Sequence, residues 1–151
     1  MKFISHRGNL NGRNESMENH PLAIQIAMNA GFDVEIDVWL IGDAWFLGHD
    51  KPQYPINIDF LFKEGIWCHA KNIEALERML LYSQIHCFWH QEDDVTLTSR
   101  NFIWTYPGKP LTENSIAVLP ELNNDNSITM LPENIFGICS DFILEYIDEY
   151  K

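Results

Sequence analysis

Glu35 and Asp37 stand two residues apart in the run Asp33-Val34-Glu35-Ile36-Asp37-Val38. Side chains alternate along a strand, so Val34, Ile36 and Val38 share one face and the two carboxylates share the other. Two carboxylates held that close repel, and each raises the other's pKa unless a cation lies between them. Oxygen ligands of this kind suit Mg²⁺ or Ca²⁺. Taken alone, the pair fits an antiparallel strand with one wet face equally well. His6-Arg7-Gly8 adds an imidazole able to exchange protons near neutral pH and a guanidinium able to grip phosphate oxygens with two donors. Gly48-His49-Asp50 adds a second imidazole. Cleaving a diester needs one group to activate the nucleophile and another to protonate the leaving oxygen. A single histidine is more often structural, but these features in this order point to a divalent-metal site acting on a phosphate diester.

The flanking sequence supplies elements to hold them. Phe3 to His6 reads as a short strand leading into a polar loop from Gly8 to Asn14. Asn19 can cap a helix with Pro21 in its first turn, Leu22, Ala23, Ile26, Ala27 and Ala30 on one face, and Gly31 at its end. Asp33 to Leu40 is a strand, and Gly42-Asp43 turns it into a second, Ala44 to Leu47. A short helix over Asp59 to Phe62 and a strand over Ile66 to Ala70 follow. Asn72 then caps a helix with Ile73, Leu76, Glu77 and Leu80 on one stripe, before a strand from His86 to Trp89. The second half keeps apolar runs at Phe102 to Thr105, Ser115 to Leu119 and Phe136 to Cys139, broken by Pro, Gly and Asn, with a charged final helix over Asp141 to Tyr150.

Strand and helix alternation in the first half predicts parallel strands with helices outside. A full eight-fold β/α barrel needs about 250 residues, and this chain has 151. The expectation is therefore one α/β domain over residues 1–151, a small, trimmed TIM-type β/α barrel with several outer helices missing. An open parallel sheet is the alternative.

The series His6-Arg7-Gly8, Glu18-Asn19, Gly31, Glu35-x-Asp37 and His49-Asp50 resembles the N-terminal signature of glycerophosphodiester phosphodiesterases, within the wider phospholipase C-like group. Gly137-Ile138-x-Ser140-Asp141 is similar to that family's last-strand ending. The resemblance implies a β/α barrel with its site at the C-terminal ends of the strands. It implies His6 and His49 as the acid–base pair, Glu35 and Asp37 as metal ligands, Arg7 on the phosphate, and Glu18 and Asn19 shaping the loop over the site. It also implies an acidic ligand two residues before a phosphate-binding lysine. Here the segment reads His69-Ala70-Lys71, so Lys71 matches and His69 stands where the carboxylate is expected. An imidazole there moves metal preference from Mg²⁺ or Ca²⁺ towards Mn²⁺, Zn²⁺ or Fe²⁺. His69 may ligate directly, act through water, or leave the place to another acid such as Glu121.

His90 falls near a strand end, where it could face His69 across the site, and Glu121 sits at another strand end. Phe102-Ile103-Trp104-Thr105-Tyr106 carries many aromatics, read first as core and second as a wall for a headgroup. The formal net charge of −12, from 22 acids and 10 bases, disfavours nucleic acid as partner. A small phosphodiester remains compatible, since a metal and a few cations can bind one phosphate locally. No apolar run approaches the roughly 20 residues of a membrane span, and the polar start is unlike a signal peptide. Cys68, Cys87 and Cys139 are scattered singly, like buried hydrophobes in a reducing compartment. A cytoplasmic, metal-dependent phosphodiesterase is the expectation, with hydrolysis or release of a cyclic phosphate both open. An inactive phosphate- or metal-binding protein ranks below it.

Overall fold

The computed structural model describes residues 1–123 and 128–150. Its strands are β1 (Lys2–His6), β2 (Asp33–Ile41), β3 (Ala44–Leu47), β4 (Tyr54–Ile56), β5 (Ile66–Ala70), β6 (Cys87–Phe88), β7 (Val95–Leu97), β8 (Ile103–Thr105), β9 (Ser115–Val118) and β10 (Gly137–Ser140). The helices are α1 (Pro21–Asn29), α2 (Ile73–Leu80) and α3 (Ile143–Glu149), with 3₁₀ turns at Ile58–Phe62 and Pro120–Asn123. All ten strands belong to one sheet. Parallel ladders join them in the order β6-β5-β2-β1-β10-β9-β8. Antiparallel pairing adds β3 and β4 beyond β2, and β7 beside β8.

The expected TIM-type β/α barrel is thus incorrect. The molecule is a curled, strand-rich mixed sheet, and among the described residues no ladder joins β6 to β8 to close it. A β/α barrel needs a helix after each strand to cover the outer face. Here the three helices have only 9, 8 and 7 residues, and β6 through β10 follow one another without an α-helix. Hairpins at β2–β3–β4 and β7–β8 make the sheet mixed, while β8, β9 and β10 stay parallel without α-helical crossovers among the described residues. None of the helices is long and apolar enough to cross a membrane.

The core falls into three clusters. Val34, Ile36 and Val38 of β2 lie in one cluster with Ile24 and Ala27 of α1 and Ala75 and Met79 of α2. Ile4, Trp67, Phe88, Trp104, Ile116 and Val118 form another, drawn from five strands of the parallel arc. A third packs α3 through Ile143 and Tyr146 against Ala117 and Ile138. The apolar stripes read from sequence shift in both central helices. In α1, Ile24 is buried while Leu22 and Ile26 are exposed; in α2, Ala75 and Met79 are buried while Ile73 and Leu80 are exposed. Asn72 caps α2 as expected, accepting from Ala75 N at 3.3 Å, and is also bonded to both backbone groups of Leu40. The α1 cap is His20, which accepts from Leu22 N at 3.1 Å, and not Asn19. All three cysteines are buried free thiols.

His86 packs its ring 4.0 Å from that of Trp67 and bonds Thr98 Oγ1 at 2.8 Å. Burial, helped by the charge of Arg100, pushes its pKa down to about 4 from the ordinary 6.5. The unfolded chain therefore takes up this proton first as the pH falls. The stability it protects is complete above about pH 6.5 and is lost between there and pH 4. In urea unfolding, wild type should lose about 2 kcal/mol more than His86→Gln between pH 7 and pH 4.5. Equal losses would mean that His86 is not held neutral in the core.

Candidate functional site

Register assembles the site. His6 pairs with Glu35, Glu35 with Trp67, and Asp37 with His69 across β1, β2 and β5. Neighbours in a parallel ladder point the same way, so His6, Glu35, Asp37 and His69 project from one face at the strands' C-terminal ends. On the other side of β1, Ser5 pairs with Ser140 of β10, which brings Asp141 beside His6. The turn after β1 is tight. Arg7 takes φ of 55° and Gly8 of 88°, and a Cβ on Gly8 would lie 3.1 Å from the α1 backbone at Ala23 and Ile24. That left-handed step swings the Arg7 side chain back over β2.

Asp37 is the centre of the cluster and is fully buried. Its Oδ2 lies 3.0 Å from Arg7 Nε and 3.3 Å from His49 Nδ1, and accepts from Asn19 Nδ2 at 2.8 Å. Its Oδ1 lies 3.2 Å from His69 Nδ1 and 3.7 Å from Lys71 Nζ. Burial would raise this carboxyl's pKa. The His49 and His69 imidazoles and the Arg7 guanidinium outweigh that and hold it well below the carboxylate range. Glu35, also buried, has Oε1 3.6 Å from His69 Nδ1 and Oε2 3.8 Å from His6 Nε2. Glu35 Oε2 and Asp37 Oδ1 accept no well-formed hydrogen bond, a costly condition for buried carboxylate oxygens.

His69 completes the group. Its Nε2 donates to the carbonyl of His90 at 2.7 Å, and its ring stacks on Phe88 at 5.1 Å. That anchor turns Nδ1 towards both carboxylates, the arrangement of histidine ligands whose other nitrogen bonds a backbone carbonyl. Burial would lower the imidazole's pKa; its contacts with Asp37 and Glu35 win and raise it to about 9. Ligand atoms of Glu35, Asp37 and His69 all lie within 4.8 Å of one another. Two carboxylate oxygens and one imidazole nitrogen so placed suit a divalent cation.

The two other histidines differ in setting. His6 donates Nδ1–H to Asp141 Oδ1 at 2.7 Å. Burial disfavours its charge, but Asp141 and Glu35 overcome this and raise its pKa, while His6 in turn helps lower that of Asp141. His49 Nδ1 sits 2.7 Å from Arg7 Nη2. A guanidinium can only donate, so Nδ1 accepts from Arg7 in one tautomer and, carrying the proton in the other, donates to Asp37 Oδ2 3.3 Å away.

His6, Arg7, Glu35, His49, His69, Lys71 and His90 line one cavity of about 310 Å³. Other expected residues serve differently. Glu18 lies behind Arg7, which it meets at 3.4 Å, and takes Arg13 Nε at 3.1 Å. Asn19, at φ 61°, clamps Asp37 rather than shaping a loop, since its Oδ1 also accepts from Asp37 N at 2.8 Å. His90 contributes its carbonyl to His69 and donates its own Nε2 to Asp93 O at 2.7 Å. Glu121 does not reach the carboxylate group. It is buried, takes Ser140 Oγ at 2.8 Å and Asp141 N at 3.1 Å, and has its pKa raised by burial despite those bonds. Asp141 as the partner of His6 and Asn9, which donates to both Glu18 and Asp141, were not identified from residue types. Only the β1–β10 register reveals them.

Among family models, curated proteins and solved structures, nothing matches this chain.

Asn19→Ala removes both bonds to Asp37 and puts a Cβ-bearing apolar residue in the left-handed region. Its unfolding free energy should fall by about 2–4 kcal/mol in urea titration. A loss under 1 kcal/mol would mean that Asp37 does not depend on this clamp.

Proposed function

We propose that this protein is a metal-dependent phosphodiesterase, resembling glycerophosphodiester phosphodiesterases in its site, that cleaves a small phosphodiester. The observation that carries this reading is the pair of buried carboxylates, Glu35 and Asp37, each with an oxygen lacking a well-formed hydrogen bond, beside His69 Nδ1. Arg7, Lys71 and three further histidines, His6, His49 and His90, line the same cavity. Glu35, Asp37 and His69 would hold the divalent ion, which supplies charge stabilisation at the phosphoryl oxygens. Arg7 and Lys71 balance the remaining charge on the phosphate.

The proton chemistry follows from two tautomers. In the resting arrangement Arg7 Nη2 occupies the His49 Nδ1 lone pair. When the phosphate takes that guanidinium donor, Nδ1 is free to carry a proton directed at Asp37 Oδ2, 3.3 Å away. The lone pair then moves to Nε2, and His49 becomes a base. It takes the proton of a water or of a neighbouring substrate hydroxyl as the new O–P bond forms. The bond to the departing oxygen breaks with its electron pair, and His6 Nε2–H protonates that oxygen, the imidazolium having been held by Asp141 behind Nδ1. Water as nucleophile gives a phosphomonoester and an alcohol; the substrate's own hydroxyl gives a cyclic phosphate and an alcohol.

The test is turnover of phosphodiesters by purified, chelator-treated protein with Mn²⁺, Mg²⁺ or Ca²⁺ restored. Because one ligand is an imidazole, Mn²⁺ should support more turnover than Ca²⁺. His6→Ala should lose at least about 10²-fold in kcat, and Asp141→Asn a smaller factor with KM little changed. Folded protein with no turnover on any diester with any of these ions would overturn the proposal.

A further inference from the structure

The cavity that holds the metal group is lopsided. One side carries Arg7, Glu35, His69, Lys71 and the two acid–base histidines, while on the other Trp104, Tyr106, Pro107, Val118, Leu119 and Leu122 stand beside His90 and Gln91. Trp104 is buried, but Tyr106 is 46% and Leu122 56% exposed, so apolar surface stands open at the mouth. Polar groups on that side are few. His90 already donates its Nε2 to Asp93, and Gln91 is exposed. A polyol needs several fixed donors and acceptors to be told from water, and a wall of this kind does not supply them.

Leu119 is a second, independent sign. Its φ is +43°, in the region that side chains other than glycine, asparagine and aspartate seldom occupy. The backbone there is tied down, with Leu119 N donating to Cys139 O at 2.7 Å and its carbonyl accepting from Leu122 N at 3.0 Å. A leucine is held in a strained conformation where its side chain lines both this cavity and the adjoining one of about 520 Å³. Asparagine would satisfy the backbone at lower cost, so the strain is attached to an apolar side chain at the junction. The adjoining cavity shares His6, Arg7 and His49 but adds Arg13, Glu121 and Asp141. Apolar surface continues there through Leu119, Leu122 and Phe142.

Resting on the phosphodiester reading above, we infer that the substrate is an asymmetric diester whose one arm is apolar and ring-sized. The arm sits against Leu119, Tyr106 and Trp104. The phosphate lies over the metal group, and the other arm leaves towards the adjoining cavity. At about 310 Å³ the first cavity lies at the small end of ligand pockets, with room for a phosphoryl group and one ring but not for a long acyl chain.

Two substrates test this: methyl benzyl phosphate and methyl glycerol phosphate, assayed with Mn²⁺ on wild type and Leu119→Asn. Wild type should show at least tenfold higher kcat/KM for the benzyl ester, carried mainly by KM. Leu119→Asn should lose most of that preference while remaining folded. A glycerol preference, or an unchanged benzyl preference in the folded variant, overturns the inference while leaving phosphodiester cleavage standing. Benzyl phosphate and glycerol phosphate are then compared as ligands by thermal shift, without turnover. If neither diester is cleaved but benzyl phosphate raises the midpoint more, the apolar arm site is supported and the hydrolytic reading fails. If there is neither turnover nor a difference in shift, both fail.

Discussion

A fully buried carboxylate at Asp37 is the constraint on which the site depends. An ionised group with no solvent must be surrounded by charge and donors, or it will neutralise or unfold the chain. Asp37 recruits Arg7 from the turn after β1, His49 from the turn after β3, His69 from β5, Lys71 just beyond it, and Asn19 from the segment before α1. Four separate stretches of chain are thereby drawn to β2. Arg7, His49, His69 and Lys71 are also the groups that the proposed phosphodiester site would use, so the same interactions would serve the fold and the proposed chemistry.

Two residues accept strain for this. Arg7 and Asn19 both have positive φ, and Asn19 N donates to the carbonyl of Arg7 at 2.9 Å. The strained pair brace each other while their side chains reach Asp37 from two directions. The aromatic interior below, with Trp67 and Phe88 against Trp104, gives β5 a rigid base. On it His69 keeps its Nδ1 aimed at the carboxylates. Polar chemistry at the strand ends rests on an apolar floor in the curl of the sheet.

Much of this was legible in the residues. The alternation of Val34, Ile36 and Val38 with Glu35 and Asp37 gave the two faces of β2 correctly, because strand geometry leaves no other choice. His6, Arg7, His49, His69 and Lys71 were recognisable by type and order, and the structure brings all of them to one cavity. What could not be read was adjacency. Nothing local says that β10 lies beside β1, so the Asp141–His6 pair is invisible until the strands are paired. The left-handed turn at Asn19 was equally hidden, since asparagine is a good helix cap and the sequence offers one just ahead of Pro21. The β/α barrel failed for a related reason. Loops can replace a few outer helices of a barrel, but among the described residues β6 to β10 follow one another without an α-helix and no ladder closes β6 on β8. The helix faces shifted because periodicity marks which residues are apolar, and only packing decides that Ile24 rather than Ile26 meets β2.

The central claim is that Glu35, Asp37 and His69 form a cation site, and crystals soaked in Mn²⁺ address it most directly through anomalous scattering. The account predicts one strong peak within about 2.0–2.4 Å of a Glu35 oxygen, Asp37 Oδ1 and His69 Nδ1. His69 would keep its bond to the His90 carbonyl and give up its contact with Asp37. No peak there at saturating Mn²⁺, with His69 Nδ1 still paired to Asp37, would contradict it and leave the cluster a structural ion network.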